Sequence, residues 1–300
     1  MNRILVVGAG GQLGRALCAR KGTDGVEIVG LTRGELDITD LAQVRAALDR
    51  RPCSAIVNAA AYTAVDRAES DAAAAFAINR DGPQNLAVAA AEHGIPLLQV
   101  STDYVFDGRS DRAYSETDPV GPAGVYGASK LAGEEAVRAA QPRHVILRTS
   151  WVYAASTGNF VATMLRLAGG RPELRVVDDQ RGGPTEAGAI ADALLAIAGQ
   201  LDQGDPWGTY HFSGAPAVTW CGFAREIVAR AAPWLQRLPT VTPIRTADYP
   251  TPARRPANSE LDCRRIEAQF GIRQPDWQAT LSTVVETILR GTGDISRNAS

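Results

Sequence analysis

Lysine is nearly missing from this 300-residue chain: of 31 basic residues, only Lys21 and Lys130 are lysines. A bias that strong puts arginine wherever a positive charge is all that is needed, so a retained lysine marks a place that wants a compact ammonium and not a planar fork. Cysteine and histidine are also sparse. Cys18, Cys53, Cys221 and Cys263 have no paired or ligand-like spacing, and His93, His144 and His211 stand apart. That argues against a disulfide framework or a Cys/His metal centre; the expectation is free thiols in a cytoplasmic protein without a metal. Charge of one sign is lacking too. With 31 basic against 33 acidic residues and a net charge of -2, no chain-wide field favours nucleic acid or an anionic membrane surface. The apolar run at residues 4–7 is too short for a membrane span or a signal-peptide core. What remains is 45% hydrophobic residues, enough to fill one large domain or two smaller ones.

The first informative stretch is Arg3-Ile4-Leu5-Val6-Val7-Gly8-Ala9-Gly10-Gly11-Gln12-Leu13-Gly14. An apolar run breaking into glycines and then into a helical pattern predicts a buried strand, a tight turn and a helix N-terminus. That arrangement holds a pyrophosphate on backbone N–H groups. The spacing is Gly8-x-x-Gly11-x-x-Gly14, with Leu13 where the commoner Gly-x-Gly-x-x-Gly pattern wants glycine. Gly8, Gly11, Gln12, Leu13 and Gly14 are therefore candidate cofactor contacts.

Strand-like runs at 4–7, 26–31, 55–57, 97–100 and 145–147 alternate with helical patterns at 41–48, 72–91 and 126–140. This spacing predicts βαβ units and an α/β fold, a doubly wound parallel Rossmann-type sheet whose ligands lie at the carboxyl ends of the strands. Segments 8–14, 58–62 and 101–104 all fall at that edge, which adds Ala60, Ala61 and Tyr62 to the cofactor candidates. Residues 1–150 read as the dinucleotide-binding domain, with a returning element near 185–205. Residues 151–290 read as a smaller, partly interleaved C-terminal substrate domain, and 291–300 as a frayed tail. In the second part, helices are expected at 159–167, 187–201, 221–232 and 276–289 and a strand at 174–177, while Pro239, Pro243, Pro250, Pro252 and Pro256 mark extended, rigid loop.

Lys130 follows Tyr126 by four residues in Tyr126-Gly127-Ala128-Ser129-Lys130. On a helix the two share a face, close enough for the cation to favour the phenolate and make Tyr126 a usable proton donor near neutral pH. Thr102, at a strand end, offers a hydroxyl to a reacting carbonyl, while Asp103 and Trp151 are candidate substrate contacts, a hydroxyl acceptor and a flat wall. Cofactor preference turns on the end of the second strand, Leu31-Thr32-Arg33, where a hydroxyl and a guanidinium suit a 2′-phosphate. NADPH is the expectation, with NADH left open should Glu35 or Asp37 swing in.

Taken together, Gly11-Gln12-Leu13-Gly14, residues 58–66, Ser101-Thr102-Asp103-Tyr104-Val105-Phe106, residues 126–134, Arg148-Thr149-Ser150-Trp151-Val152-Tyr153 and Arg255-Pro256-Ala257-Asn258-Ser259 resemble the extended short-chain dehydrogenase/reductase superfamily and, within it, the dTDP-4-dehydrorhamnose reductases. The resemblance implies reduction of the 4-ketone of a dTDP-sugar, contact of Lys130 with the nicotinamide ribose, and Asp37 and Ile38 beside the adenine after a third short strand. It leaves a homodimer open. Two other readings stay beside it. One is a dehydratase or epimerase of the superfamily, although dehydratases carry Thr-Asp-Glu where this chain has Thr102-Asp103-Tyr104. The other is a non-catalytic regulatory subunit like that of methionine adenosyltransferase.

Overall fold

The computed structural model describes residues 3–20 and 25–291; Lys21 and the expected tail after residue 291 lie outside them. The first half reads β1 (Arg3–Val7), α1 (Gln12–Cys18), β2 (Glu27–Leu31), α2 (Leu41–Arg50), β3 (Ala55–Asn58), α3 (Val65–Ala68), α4 (Ala72–Phe76), α5 (Gly82–Glu92), β4 (Leu97–Thr102), α6 (Val125–Ala140) and β5 (His144–Thr149). The second half continues with β6 (Val152–Tyr153), α7 (Phe160–Ala168), β7 (Glu173–Val177), β8 (Arg181–Gly182), β9 (Thr185–Glu186), α8 (Ala187–Ala198), β10 (Gly208–His211), β11 (Val218–Thr219), α9 (Trp220–Ala231), β12 (Thr240–Ile244), β13 (Asn258–Ser259), α10 (Arg264–Phe270) and α11 (Trp277–Gly291).

Six strands form one wholly parallel sheet in the order β2-β1-β3-β4-β5-β10, as the βαβ spacing predicts. Strand side chains alternate between two cores. Ile4, Val6, Val57, Leu98, Val145 and Leu147 meet Leu13 and Leu17 of α1, Ile190 and Leu194 of α8, and Phe270 of α10. Leu5, Val7, Ile56, Leu97 and Ile146 meet Val44 and Leu48 of α2, Leu86 of α5 and Val137 of α6. Burial on both faces is why these strands read as unbroken apolar runs, and truncating one such leucine to alanine costs about 2–5 kcal/mol. A third core, built from Val161 and Leu165 of α7, Phe223 and Ile227 of α9, and Trp277 and Leu281 of α11, holds the C-terminal elements together.

Three departures from the sequence reading have physical causes. The helix expected over 72–91 is interrupted by a π-helical turn, Ala77–Asp81. Its buried Asn79 side chain accepts from Tyr62 N at 2.8 Å and donates to Tyr62 O at 3.1 Å and Ser129 Oγ at 3.0 Å, so one polar side chain ties three segments. Residues 32–36, where a third short strand was expected before Asp37, form turn and irregular chain and not strand. The proline-rich region contains a strand: β12, with Pro243 inside it, pairs in parallel with β7 in a two-stranded sheet, and such an edge position tolerates a residue without an N–H.

Candidate active site

The sheet order reverses at β1, with β2 on one side and β3 on the other, and ligands of such sheets bind where strand order reverses. A cavity of 1020 Å³ opens at the carboxyl ends of β1, β3 and β4, lined there by Gly10, Gly11, Gln12, Leu13, Ala60, Ala61, Thr102, Asp103, Tyr126 and Lys130. C-terminal elements line it as well, through Trp151, Phe160, Arg171, Arg175 and Trp220.

The glycine turn fits a dinucleotide because it has been stripped of side chains. Gly8 has φ +84°, and a Cβ there would lie 2.5 Å from Ala60 N; at Gly14 it would lie 2.2 Å from Gly8 O. Neither position admits another residue without moving backbone. Gly10 faces open space, and the α1 N-terminus carries no side-chain cap. Its first N–H groups are thus free for an anion, as a pyrophosphate requires. Gln12 does not cap the helix; its Oε1 accepts from Asn159 Nδ2 at 2.9 Å, fastening the glycine turn to the start of α7.

The candidate reacting side chains lie beyond this turn. Thr102 closes β4, and its Oγ1 accepts from Tyr104 N at 3.3 Å while donating to Asp103 Oδ1 at 2.9 Å. Its hydroxyl proton therefore points to Asp103, whereas the sequence reading aimed it at a carbonyl substrate. Tyr126 sits in the first turn of α6, whose N-terminus is held by Glu69 Oε1 accepting from Val125 N at 2.8 Å. The Tyr126 ring packs edge-on against Tyr104, centroids 5.4 Å apart. One turn on, Lys130 is buried and its Nζ donates to Val100 O at 2.7 Å.

The expected lowering of the Tyr126 phenol does not appear. Burial pushes it up to about 12; a hydrogen bond with Thr102 works the other way, and the Asp103 charge adds to the rise. Loss of water around the phenolate sets the direction, and Lys130 is not among the groups that oppose it. Burial also brings Lys130 down to about 8, with Glu134 opposing. Glu134 itself is fully buried. Burial works to raise it, but Arg148, which donates to its Oε1 at 2.9 Å and Oε2 at 2.7 Å, holds it low. Removing one partner from such a pair costs about 3–5 kcal/mol, so α6 is locked to β5 directly behind Lys130.

Several sequence candidates take other roles. Tyr62 turns its hydroxyl away to Asp71 Oδ2, 3.1 Å, and is not part of the cavity lining. Ile38 is buried in the α2–α5 core, because Gly82 leaves room for its side chain. Asp37 folds back on its own turn, accepting from Thr39 N at 3.0 Å and Thr39 Oγ1 at 2.8 Å, which holds its carboxyl below the usual range. At the end of β2, Glu35 has swung in: its Oε2 accepts from Thr32 Oγ1 at 2.7 Å and Thr32 N at 2.8 Å. Arg33 is exposed beside it. Trp151 does line the cavity; Trp220 stacks on its ring at 3.4 Å, and Gly182 lies close against it, where a Cβ would sit 2.6 Å from Cε2. The Trp151 φ of +48° is strain of order 1–3 kcal/mol that the surrounding packing sustains.

Sequence reasoning assigned no role to Arg255, Asp66 or Ser259. The Arg255 guanidinium donates to Asp66 Oδ1 at 2.9 Å and Oδ2 at 2.8 Å, clasping the proline-rich segment to α3 at the cavity rim. The Ser259 hydroxyl favours the Asp103 carboxylate. Both lie in quoted motifs, but sequence spacing carried no signal that residues 66 and 255 would meet.

Comparison with known proteins agrees with this geometry. The family model described as RmlD substrate binding domain matches residues 1–290. A dTDP-4-dehydrorhamnose reductase of Aggregatibacter actinomycetemcomitans is 47% identical over 289 residues, covering 95% of this chain and 98% of the relative. Among solved structures, a dTDP-4-dehydrorhamnose reductase from Clostridium acetobutylicum aligns with a TM-score of 0.88 at 36% identity, covering 95% of this chain and 98% of that one. One from Bacillus anthracis, in complex with NADP, aligns with a TM-score of 0.88 at 34% identity, covering 95% and 99%. With a match along nearly its whole length, the chain belongs to the dTDP-4-dehydrorhamnose reductase family.

Proposed function

We propose that this chain reduces the C4 ketone of dTDP-4-dehydro-6-deoxy-L-mannose to dTDP-L-rhamnose with NADPH, and that Tyr126, Lys130 and Thr102 carry the chemistry. The observation behind the reading is that these three side chains line the same cavity as the glycine turn. The backbone of residues 8–14 with Ala60 and Ala61 would hold the dinucleotide, and bound there NADPH supplies the hydride that reduces C4. The chain's own task is the proton. As the ketone oxygen gains charge it becomes an alkoxide, about as basic as hydroxide, whose conjugate acid has a pKa of about 15.7. Tyr126, even raised to about 12, is the stronger acid and gives up its proton downhill. Lys130 supplies a buried positive charge one turn away, which offsets the phenolate left behind and gives a ribose hydroxyl a donor. The Thr102 hydroxyl favours the phenolate that forms.

Tyr104, packed on Tyr126, stands where a dehydratase has its carboxylate. Removing water from a hexose needs a base for the proton alpha to the keto group, and a buried phenol held above its ordinary value is a poor one. The test is paired: the 4-keto-L-sugar nucleotide with NADPH is consumed stoichiometrically, while dTDP-glucose with NAD yields no 4-keto product. A 4-keto product from dTDP-glucose would replace the reductase reading with the dehydratase one.

The Thr32–Glu35 hydrogen bonds bear on cofactor choice. Arg33 is the cation available to a 2′-phosphate, and Glu35 is an acid available to a 2′-hydroxyl. Loss of one charge-assisted phosphate contact removes about 1.5–3 kcal/mol, so Arg33→Ala raises the KM for NADPH by roughly tenfold or more and leaves that for NADH nearly unchanged. Equal effects on both would reduce Arg33 to general surface charge.

A further inference from the structure

Each reduction consumes one proton, and Tyr126 parts with its proton where burial disfavours the phenolate. A nearby group is built to replace it. Asp103 is 3% exposed, yet lines the cavity. Its Oδ1 accepts from Thr102 Oγ1 at 2.9 Å, and Thr102 and Tyr126 line the same cavity, where the Thr102 hydroxyl favours the phenolate. Its Oδ2 is buried with no hydrogen-bond partner at normal geometry. The contrast with Glu134 is instructive: that buried carboxylate takes bonds from Arg148 and Arg138, whereas among the described residues Asp103 takes no hydrogen bond from a lysine or arginine. An ionised carboxylate so placed is an uncompensated buried charge; a protonated one is a neutral donor one hydroxyl away from the phenol.

We propose that Asp103 is the proton-entry group of the active site, recharging Tyr126 through the Thr102 hydroxyl after each reduction; the inference rests on the reduction proposed above. The steps balance. The Tyr126 O–H bond breaks as the product O–H forms, leaving a phenolate. The Thr102 hydroxyl turns, gives its proton to the phenolate oxygen and takes one from Asp103, and the carboxylate is reloaded from solvent through the open cavity. Nothing is oxidised or reduced in the relay.

The titratable neighbours are Tyr126 and Lys130 on α6, Tyr104 on the turn after β4 and, acting on Tyr104, the Arg255–Asp66 pair; the Ser259 hydroxyl comes from β13. Burial raises the Asp103 carboxyl to about 6, with Ser259 and Thr102 opposing. It is therefore loaded below that pH and empty above it, so steady-state reduction slows as pH rises through about 6.

The test separates the first turnover from later ones. Asp103→Asn keeps an acceptor for Thr102 but cannot carry a proton. Rapid mixing of the NADPH-loaded variant with the 4-keto sugar nucleotide gives a first turnover drawn from Tyr126's own proton, and any lost substrate contact lowers this rate and the later ones alike. Relative to that first turnover, steady-state turnover should fall by at least about tenfold and lose its dependence on pH across this range. Equal slowing of the first and later turnovers, or no slowing at all, would overturn the relay. Ser259→Ala, which removes a hydroxyl that favours the anion, should move the pH midpoint of turnover upward. If Asp103→Asn does not fold, that midpoint decides, and an unmoved one rejects the proposal. A wild-type enzyme with no first turnover would instead count against the reduction itself.

Discussion

Tyr126→Phe is expected to lose at least about a hundredfold in turnover while binding NADPH as the wild type does. The substitution removes one oxygen and keeps the ring, so the edge-on packing against Tyr104 and the first turn of α6 persist. What disappears is the acid that meets the developing alkoxide. Because burial holds the phenol near 12, its own ionisation should not show in a neutral pH profile, and any breakpoint there belongs to another group. Stopped-flow turnover set beside a dinucleotide titration is the measurement. Near-normal turnover would remove Tyr126 from the mechanism.

Lys130→Arg should be nearly as damaging although it conserves charge. The Lys130 ammonium is 4% exposed and its donor is already placed on Val100 O. A guanidinium is larger, and overpacking a site this closed costs about 1–3 kcal/mol. The carboxylate that could receive its fork, Glu134, is occupied by Arg148 on both oxygens. The longer side chain must either displace Arg148 or push into the cavity. A fall in turnover of at least about tenfold, with weaker dinucleotide binding, is expected. An arginine variant with wild-type kinetics would show that the lysine survives for no chemical reason.

How far the sequence could be read depended on whether a feature was local. The strand, glycine turn and helix over residues 3–18 and the Tyr126–Lys130 face of α6 are set by short spacings, and the structure has both. The parallel sheet followed from strand spacing for the same reason. Trp151 could not be judged that way. Its ring is covered by Gly182 and Trp220, which are 31 and 69 residues away in sequence. The Tyr126 phenol was misread because a cation at i+4 is visible in sequence and burial is not. Asp37 and Tyr62 stand near the carboxyl ends of the strands, but their side chains satisfy nearby polar groups, a competition that asparagine, aspartate and hydroxyl residues often win. The strand around Pro243 was hidden by its own proline.

The origin of the sixth strand has a consequence for synthesis. β10 arrives from residues 208–211 to cover β5 at 144–149, and α8 supplies part of one core in between. A nascent chain that has emerged only as far as β5 therefore carries the glycine turn, Thr102, Tyr126 and Lys130, yet has a bare sheet edge and a half-covered apolar face. An unpaired edge of that kind invites pairing with other chains. The binding half consequently cannot close before the ribosome has made the first elements of the other half, and the two must mature together, not in succession.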